Sequence, residues 1–210
     1  MRPVLISAGA TRNPIDAMRY VSANSSGTTG VWLARALLAA GRTVHLLGSA
    51  EALLRAPEIE GEEFGSTVDL MGRMERWVKA NPGGVIVHAA AVGDYQADTS
   101  AGKLPSGLGE LVLRFHPTPK IVDHLKVWDP SCVLVSFKAA PPETEDEAVV
   151  AIARAQLQRT GSALVFANVL GRLGSGVLLV DAEGALTFES RGPALDALLA
   201  RVLTASATEA

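Results

Sequence analysis

The sequence predicts an α/β fold: a Rossmann-like, doubly wound and mostly parallel sheet, with a hairpin excursion and a C-terminal hairpin. Two observations carry this. Short apolar runs alternate along the chain with longer helical patterns, and glycines or Asn-Pro-Gly-Gly punctuate the ends of the helices. At 210 residues, with 48% apolar and 20% charged, the chain is long enough for one well-buried core.

The elements follow in order. Val4-Leu5-Ile6, bounded by Pro3 and Gly9, reads as a buried strand. A polar loop from Ala10 to about Gly30 leads into Val31 to Ala40, a helical stretch stopped by Gly41. Val44 to Gly48 gives the second strand and closes a right-handed βαβ unit. Val68 to Lys79 reads as a helix, stopped at residues 81–84, and Val85 to Ala91 as a buried strand. A loop rich in Gly, Ser and Pro (98–109) and the alternating run Leu111 to Phe115 form an excursion from the sheet. Ile121 to Lys126 predicts a short helix, Val133 to Phe137 a strand, Glu145 to Gln158 a helix stopped by Gly161, and Ala163 to Ala167 a strand. Residues 176–180 and 185–188 flank Asp181-Ala182-Glu183-Gly184 as a hairpin. A closing helix runs from Pro193 to about Leu203, so that residues 1–203 form one domain and 204–210 a frayed tail.

Composition narrows the function. A net charge of −3 supplies no global basic field, which argues against a nucleic-acid backbone as partner; an anionic small ligand needs a local site. The single cysteine, Cys132, lies in an apolar run, excludes an internal disulfide and fits the core of a cytoplasmic protein. The N-terminus does not resemble a signal peptide, and no apolar stretch reaches the ~20 residues of a membrane span. His45, His88, His116 and His124 lack metal-ligand spacing, so no protein metal site is expected.

Several polar positions can carry chemistry. Ser25-Ser26-Gly27-Thr28-Thr29-Gly30 is small, hydroxyl-rich and placed directly before a helix, where free N–H groups and the macrodipole favour an anion. The same residues also read as an ordinary N-cap. Neither G-x-G-x-x-G nor the P-loop pattern is present. Asp94 follows Ala90-Ala91-Val92-Gly93 at a strand's carboxyl edge, where open α/β sheets bind ligands; a turn cap or a solvated carboxylate is the plain alternative. Lys103, in a glycine-containing loop, could close a cation over a phosphate or simply be solvated. Phe137, Lys138 and Asn168 stand at the ends of later strands, on that same edge.

Taken together, residues 6–21, reading Ile-Ser-Ala-Gly-Ala-Thr-Arg-Asn-Pro-Ile-Asp-Ala-Met-Arg-Tyr-Val, with Ser25-Ser26-Gly27 and Gly30, resemble the opening signature of phosphopantothenoylcysteine synthetases. Residues 89–95, Lys103, residues 117–121, Ser136-Phe137-Lys138 and Ala167-Asn168 extend the resemblance in order, from about Pro3 to Ser190. It implies a ligase of coenzyme A biosynthesis that joins 4'-phosphopantothenate to L-cysteine. A magnesium-bound CTP or ATP first activates the carboxylate as an acyl-nucleotidylate, and the cysteine amine then attacks. It further implies a homodimer whose contact uses the 98–115 region, and, with only the synthetase part present, no flavin. By similarity, Lys103 and Asn24 are catalytic; Arg19, Ala90, Ala91 and Asp94 hold phosphopantothenate, Arg19 acting across subunits. Gly9, Ser25, Gly27, Gly30, Phe137, Lys138 and Asn168 line the nucleotide. The chain also departs from the pattern. The asparagine expected two residues before Ser25 is Ala23, with Asn24 one position later; Thr28-Thr29 replace Lys-Met; and Gln156 and Thr160 stand where lysines for a cytidine nucleotide are expected. These departures keep in play an impaired homologue that only binds nucleotide or a pantothenate-like ligand; the sheet topology alone adds an NAD(P)-dependent oxidoreductase, against which the missing dinucleotide glycine fingerprint weighs.

Overall fold

The computed structural model describes residues 1–207 other than 101, 106, 108, 173 and 175. Its centre is an eight-stranded sheet, and the first half of the chain builds one side of it. Strand β1 (Val4–Ala8) leads through a hairpin, β2 (Arg12–Pro14) and β3 (Tyr20–Ser22), into helix α1 (Thr28–Ala39). Then come β4 (Val44–Gly48), α2 (Ala50–Leu54), β5 (Gly61–Glu63) and α3 (Thr67–Ala80). The second half returns past β1 with β6 (Val85–His88), the small pair β7 (Tyr95–Ala97) and β8 (Phe115–Pro117), α4 (Ile121–Trp128) and β9 (Val133–Ala140). It ends with α5 (Asp146–Thr160), β10 (Leu164–Val169), the hairpin β11 (Val177–Val180) and β12 (Ala185–Phe188), and α6 (Arg191–Ala207).

The sheet order is β12-β11-β10-β9-β6-β1-β4-β5, with the β10-to-β5 strands parallel and the last hairpin antiparallel. The chain therefore winds outward from β1 to β4 in one direction and from β6 to β9 in the other. The crevice at that reversal, between the carboxyl ends of β1 and β6, is where such sheets bind ligands. Both faces are covered, which is why β1, β6 and β10 are apolar without alternation. Ile6, Leu46, Phe166 and Val87 pack with Leu33 and Leu37 of α1 and Leu198 of α6 on one face. Leu5, Ile86 and Leu134 pack with Leu70 and Met74 of α3 and Leu125 of α4 on the other, where α5 also covers β10 through Val149 and Ala153.

Four features differ from the sequence reading. The alternating run from Leu111 is irregular until Phe115, where β8 begins and pairs with β7. The stretch read as one polar loop from Ala10 holds the β2–β3 hairpin, and α1 begins at Thr28 rather than Val31. Helix α2 and strand β5 were not foreseen. The first is little more than one turn, capped by the Ser49 side chain, and the second is Gly-Glu-Glu, wholly exposed on an edge where charge blocks further pairing. The expected frayed tail is helical as far as Ala207: Ser206 is buried and its carbonyl accepts from the Arg2 N–H at 3.0 Å. Residues 208–210 of that expected tail lie outside the described residues.

Candidate active site

A cleft of about 770 Å³ opens at the carboxyl edge, between the loop that enters α1 and the ends of β6, β9 and β10. One wall is residues 23–30. Gly27 holds φ +74° at the head of α1, and no side chain caps the helix, whose first turn carries no acidic residue. Ser26 and Thr28 share a hydroxyl hydrogen bond of 2.8 Å. The first turn of α1 therefore lines the cleft with no side chain capping its N–H groups, and a bound anion would meet them.

Glycine is required in this wall for close packing. A Cβ on Gly27 would lie 2.7 Å from the Ala52 Cβ and 2.9 Å from the Gly9 nitrogen, and one on Gly30 would lie 2.6 Å from the Ala8 Cβ. Gly30 therefore lets α1 seat directly on β1. Gly9 supports the loop from below.

The opposite wall starts at β6. Ala91 N–H donates to the Gly9 carbonyl at 2.8 Å, and an isolated parallel bridge joins Ala10 to Ala91. The wall therefore continues the sheet beyond the end of β6 at His88. Ala89, Ala90 and Ala91 line it with small side chains. At its end Asp94 pairs with Lys120 at 2.5 Å, both largely exposed. The Thr118 hydroxyl, donating 2.5 Å to the Gly93 carbonyl, fixes the loop that brings them together. Lys120 lies within the 117–121 motif, where nothing in the sequence marks it out from a solvated lysine.

The far end is aromatic and amide-rich. Phe137 stacks on Phe166 at 4.9 Å. Gln156 donates to the Ser136 hydroxyl at 2.9 Å and to the Phe137 carbonyl at 3.2 Å, which places it under the β9 end. Asn168 is 7% exposed, and its Nδ2 has no hydrogen-bond partner among the described residues. A buried donor left open toward a cleft is costly unless a ligand accepts from it.

Charge follows the same plan. Lys120, Lys138, Arg159 and Arg191 line the cleft; Asp94, paired with Lys120, is the lining carboxylate among the described residues, and Arg159 is paired with Asp123 just outside it. The local field is positive on a chain of net charge −3. Arg191 was missed at the sequence level, since it is a lone arginine at the start of the last helix. Only the fold brings it over the Phe166 ring, at 5.2 Å, and within 2.9 Å of the Thr29 hydroxyl.

Of the expected site residues, Asn24, Ser25, Gly27, Gly30, Ala90, Ala91, Asp94, Phe137, Lys138 and Asn168 all line this cleft. Gly9, Arg19 and Lys103 do not. Arg19 instead pairs with Asp16 at 2.5 Å, beside the hairpin. The Asp16 carboxylate also accepts from the backbone of Leu104, Met18 and Arg19, and these donors hold its pKa down at about 2. Lys103 is exposed, next to the Leu104 amide that this carboxylate anchors. Ala23 and Asn24 stand side by side in the exposed loop, lining both the cleft and a smaller hollow of about 350 Å³ beside Arg12 and Tyr20. Among the described residues no group of three His, Cys, Asp or Glu side chains could hold a metal ion.

Known proteins share this architecture. The sequence profile of the DNA/pantothenate metabolism flavoprotein C-terminal domain matches residues 1–194. The coenzyme A biosynthesis bifunctional protein CoaBC of Thermococcus kodakarensis is 39% identical over 173 residues, covering 82% of this chain and 42% of that protein. The chain spans about half the length of the curated relatives it matches. The DNA/pantothenate metabolism flavoprotein from Streptococcus pneumoniae superposes with a TM-score of 0.86 at 25% identity, covering 97% of this chain and 99% of that one. A mutant of Cab2 in complex with phosphopantothenate-cysteine has the same fold, with a TM-score of 0.77 at 19% identity over 99% of this chain and 89% of that one. The chain belongs to the family of the DNA/pantothenate metabolism flavoprotein C-terminal domain.

Proposed function

We propose that the chain is a cytoplasmic phosphopantothenate-cysteine ligase that uses CTP or ATP. The observation that carries this reading is the cleft itself: an uncapped helix N-terminus, four cationic side chains and an open Asn168 amide face a floor of alanines. That combination suits a polyanionic nucleotide at one end and a slender pantothenate arm at the other. The relative from Thermococcus kodakarensis, named for coenzyme A biosynthesis, and the Cab2 complex with phosphopantothenate-cysteine support the same substrates.

In the proposed reaction a carboxylate oxygen of 4'-phosphopantothenate attacks the α-phosphorus of the nucleotide, and pyrophosphate leaves. The cysteine amine then attacks the acyl carbon, loses a proton, and expels the nucleoside monophosphate. The first-turn N–H groups of α1 would hold the triphosphate in line, and the alanine floor would hold the acyl arm against it. Asp94 would orient the arm, and Asn24 would take the place of the asparagine displaced by Ala23. Lys103 would reach the phosphates from its loop, and Arg19 would meet a substrate phosphate across a subunit boundary. Magnesium bound with the nucleotide would supply screening of phosphate charge, and among the described residues Asp94 is the lining carboxylate that would help to hold it. A homodimer is supported by the exposed apolar side chains of Tyr20, Tyr95, Val112 and Phe115 around the small β-pairs.

The test is pyrophosphate release by purified protein with magnesium, 4'-phosphopantothenate and CTP or ATP, with and without cysteine. Cysteine-dependent turnover is expected with one nucleotide preferred. A stoichiometric burst that cysteine cannot extend would place the defect in the second half-reaction. Absence of release with either nucleotide would overturn the ligase reading.

A further inference from the structure

Helix α6 starts at the cleft, although it closes the chain. Arg191, its first residue, has its backbone N–H bonded to the Gly174 carbonyl at 3.1 Å, which fixes where the side chain begins. The guanidinium lies over the face of Phe166, and its Nη2 donates to Thr29 Oγ1 in the first turn of α1. Phe166 is fully buried, and Asn168 follows it by two residues on β10, so both side chains emerge on the same face of the sheet. Arg191, Thr29, the uncapped α1 N-terminus and the open Nδ2 of Asn168 thus meet in one corner of the cleft.

The wall beside this corner carries no charge of its own: residues 22–30 read Ser-Ala-Asn-Ser-Ser-Gly-Thr-Thr-Gly. A phosphate chain at the α1 N-terminus therefore needs its neutralising cation from elsewhere in the fold. We propose that Arg191 is a phosphate-binding residue of the nucleotide site, releasing Thr29 to fork onto the triphosphate at the N-terminus of α1. This rests on the nucleotide reading of the cleft. A guanidinium is suited to the task because its planar donors match two phosphate oxygens at once, and Phe166 keeps it pre-oriented. Its half-burial also lowers its pKa by desolvation, a cost that an adjacent anion would offset.

The experiment measures binding of CTP, ATP and inorganic tripolyphosphate to the whole chain by calorimetry, for wild type, Arg191→Met and Arg191→Lys. Methionine keeps an apolar stem over Phe166 while removing the charge. Arg35→Met, an exposed residue paired with Glu58, controls for net charge. Arg191→Met should weaken all three ligands alike, by roughly tenfold to a hundredfold. Arg191→Lys should recover part of the loss, and Arg35→Met should bind like wild type. The Michaelis constant for 4'-phosphopantothenate should stay unchanged in Arg191→Met. Wild-type binding with no loss in Arg191→Met would overturn this assignment alone. So would a loss confined to one nucleotide that spares tripolyphosphate, since that would place Arg191 at the base. Failure of wild type to bind any of the three would overturn the nucleotide reading, and this inference with it.

Discussion

Ser7 Oγ lies 2.7 Å from Nδ1 of His88, and the same oxygen accepts from the Ala90 N–H at 3.2 Å. The hydroxyl keeps its hydrogen and a second lone pair after accepting from Ala90, so it satisfies Nδ1 in either neutral tautomer of His88. Burial pushes the His88 pKa down to about 4.

The sign of the resulting pH dependence follows from linkage. Between the unfolded pKa of about 6.5 and the folded value, the unfolded chain binds the extra proton, so stability falls as pH drops through that window. The loss should amount to no more than about 3 kcal/mol, because His88 touches the cleft and is incompletely shielded. Urea unfolding at pH 7, 6, 5 and 4.5 checks it. His88→Gln should flatten the slope in this range; an unchanged slope would mean the histidine is solvated. Asp16, whose pKa is lowered to about 2, adds a separate loss only below the ordinary carboxylate range.

Asp94 and Lys120 form an ion pair with side chains 64% and 56% exposed. Such pairs contribute at most about 1 kcal/mol to folding. Asp94→Asn should therefore leave the melting temperature nearly unchanged. It should raise the Michaelis constant for 4'-phosphopantothenate by roughly tenfold, the equivalent of one charged hydrogen bond. Unaltered substrate affinity would remove Asp94 from the site.

Gly27→Ala meets two obstacles at once, a positive φ and a Cβ placed 2.7 Å from that of Ala52. The variant should lose about 1 to 3 kcal/mol in urea unfolding and bind nucleotide more weakly, since the loop must shift to relieve the contact. A change within about 0.5 kcal/mol would show that α2 yields freely.

Lys103→Ala should lower turnover while sparing thermal stability, because the side chain is exposed. Disturbing its anchor offers a second view. Asp16→Asn would weaken the bonds to Leu104 and Arg19, and should reduce turnover while also lowering the melting temperature. A large loss of stability in Lys103→Ala itself would make that lysine structural.

Strands buried on both faces were legible because their apolar runs are short and their helices are punctuated by glycine. Val44 to Gly48 needed no tertiary context, nor did the placement of Asp94 and Asn168 at the carboxyl edge of the sheet. What escaped was everything whose signal is spatial. Strand β5 has no hydrophobic pattern to read because it is an exposed edge. Arg191 reaches its place only because α6 packs back across β11 and against α1. Arg19 and Lys103, grouped with the site by resemblance, sit instead around Asp16, whose hydrogen bonds tie two segments 88 residues apart.

The bond from the Arg2 amide to the Ser206 carbonyl brings the two ends of the described chain together at the amino edge of β1, whereas the cleft opens at the carboxyl edge. A tether, a fluorophore or a sensor surface can thus be attached at either end while the mouth of the cleft faces away from it. Joining the ends and reopening the chain at another exposed loop is open to the same geometry.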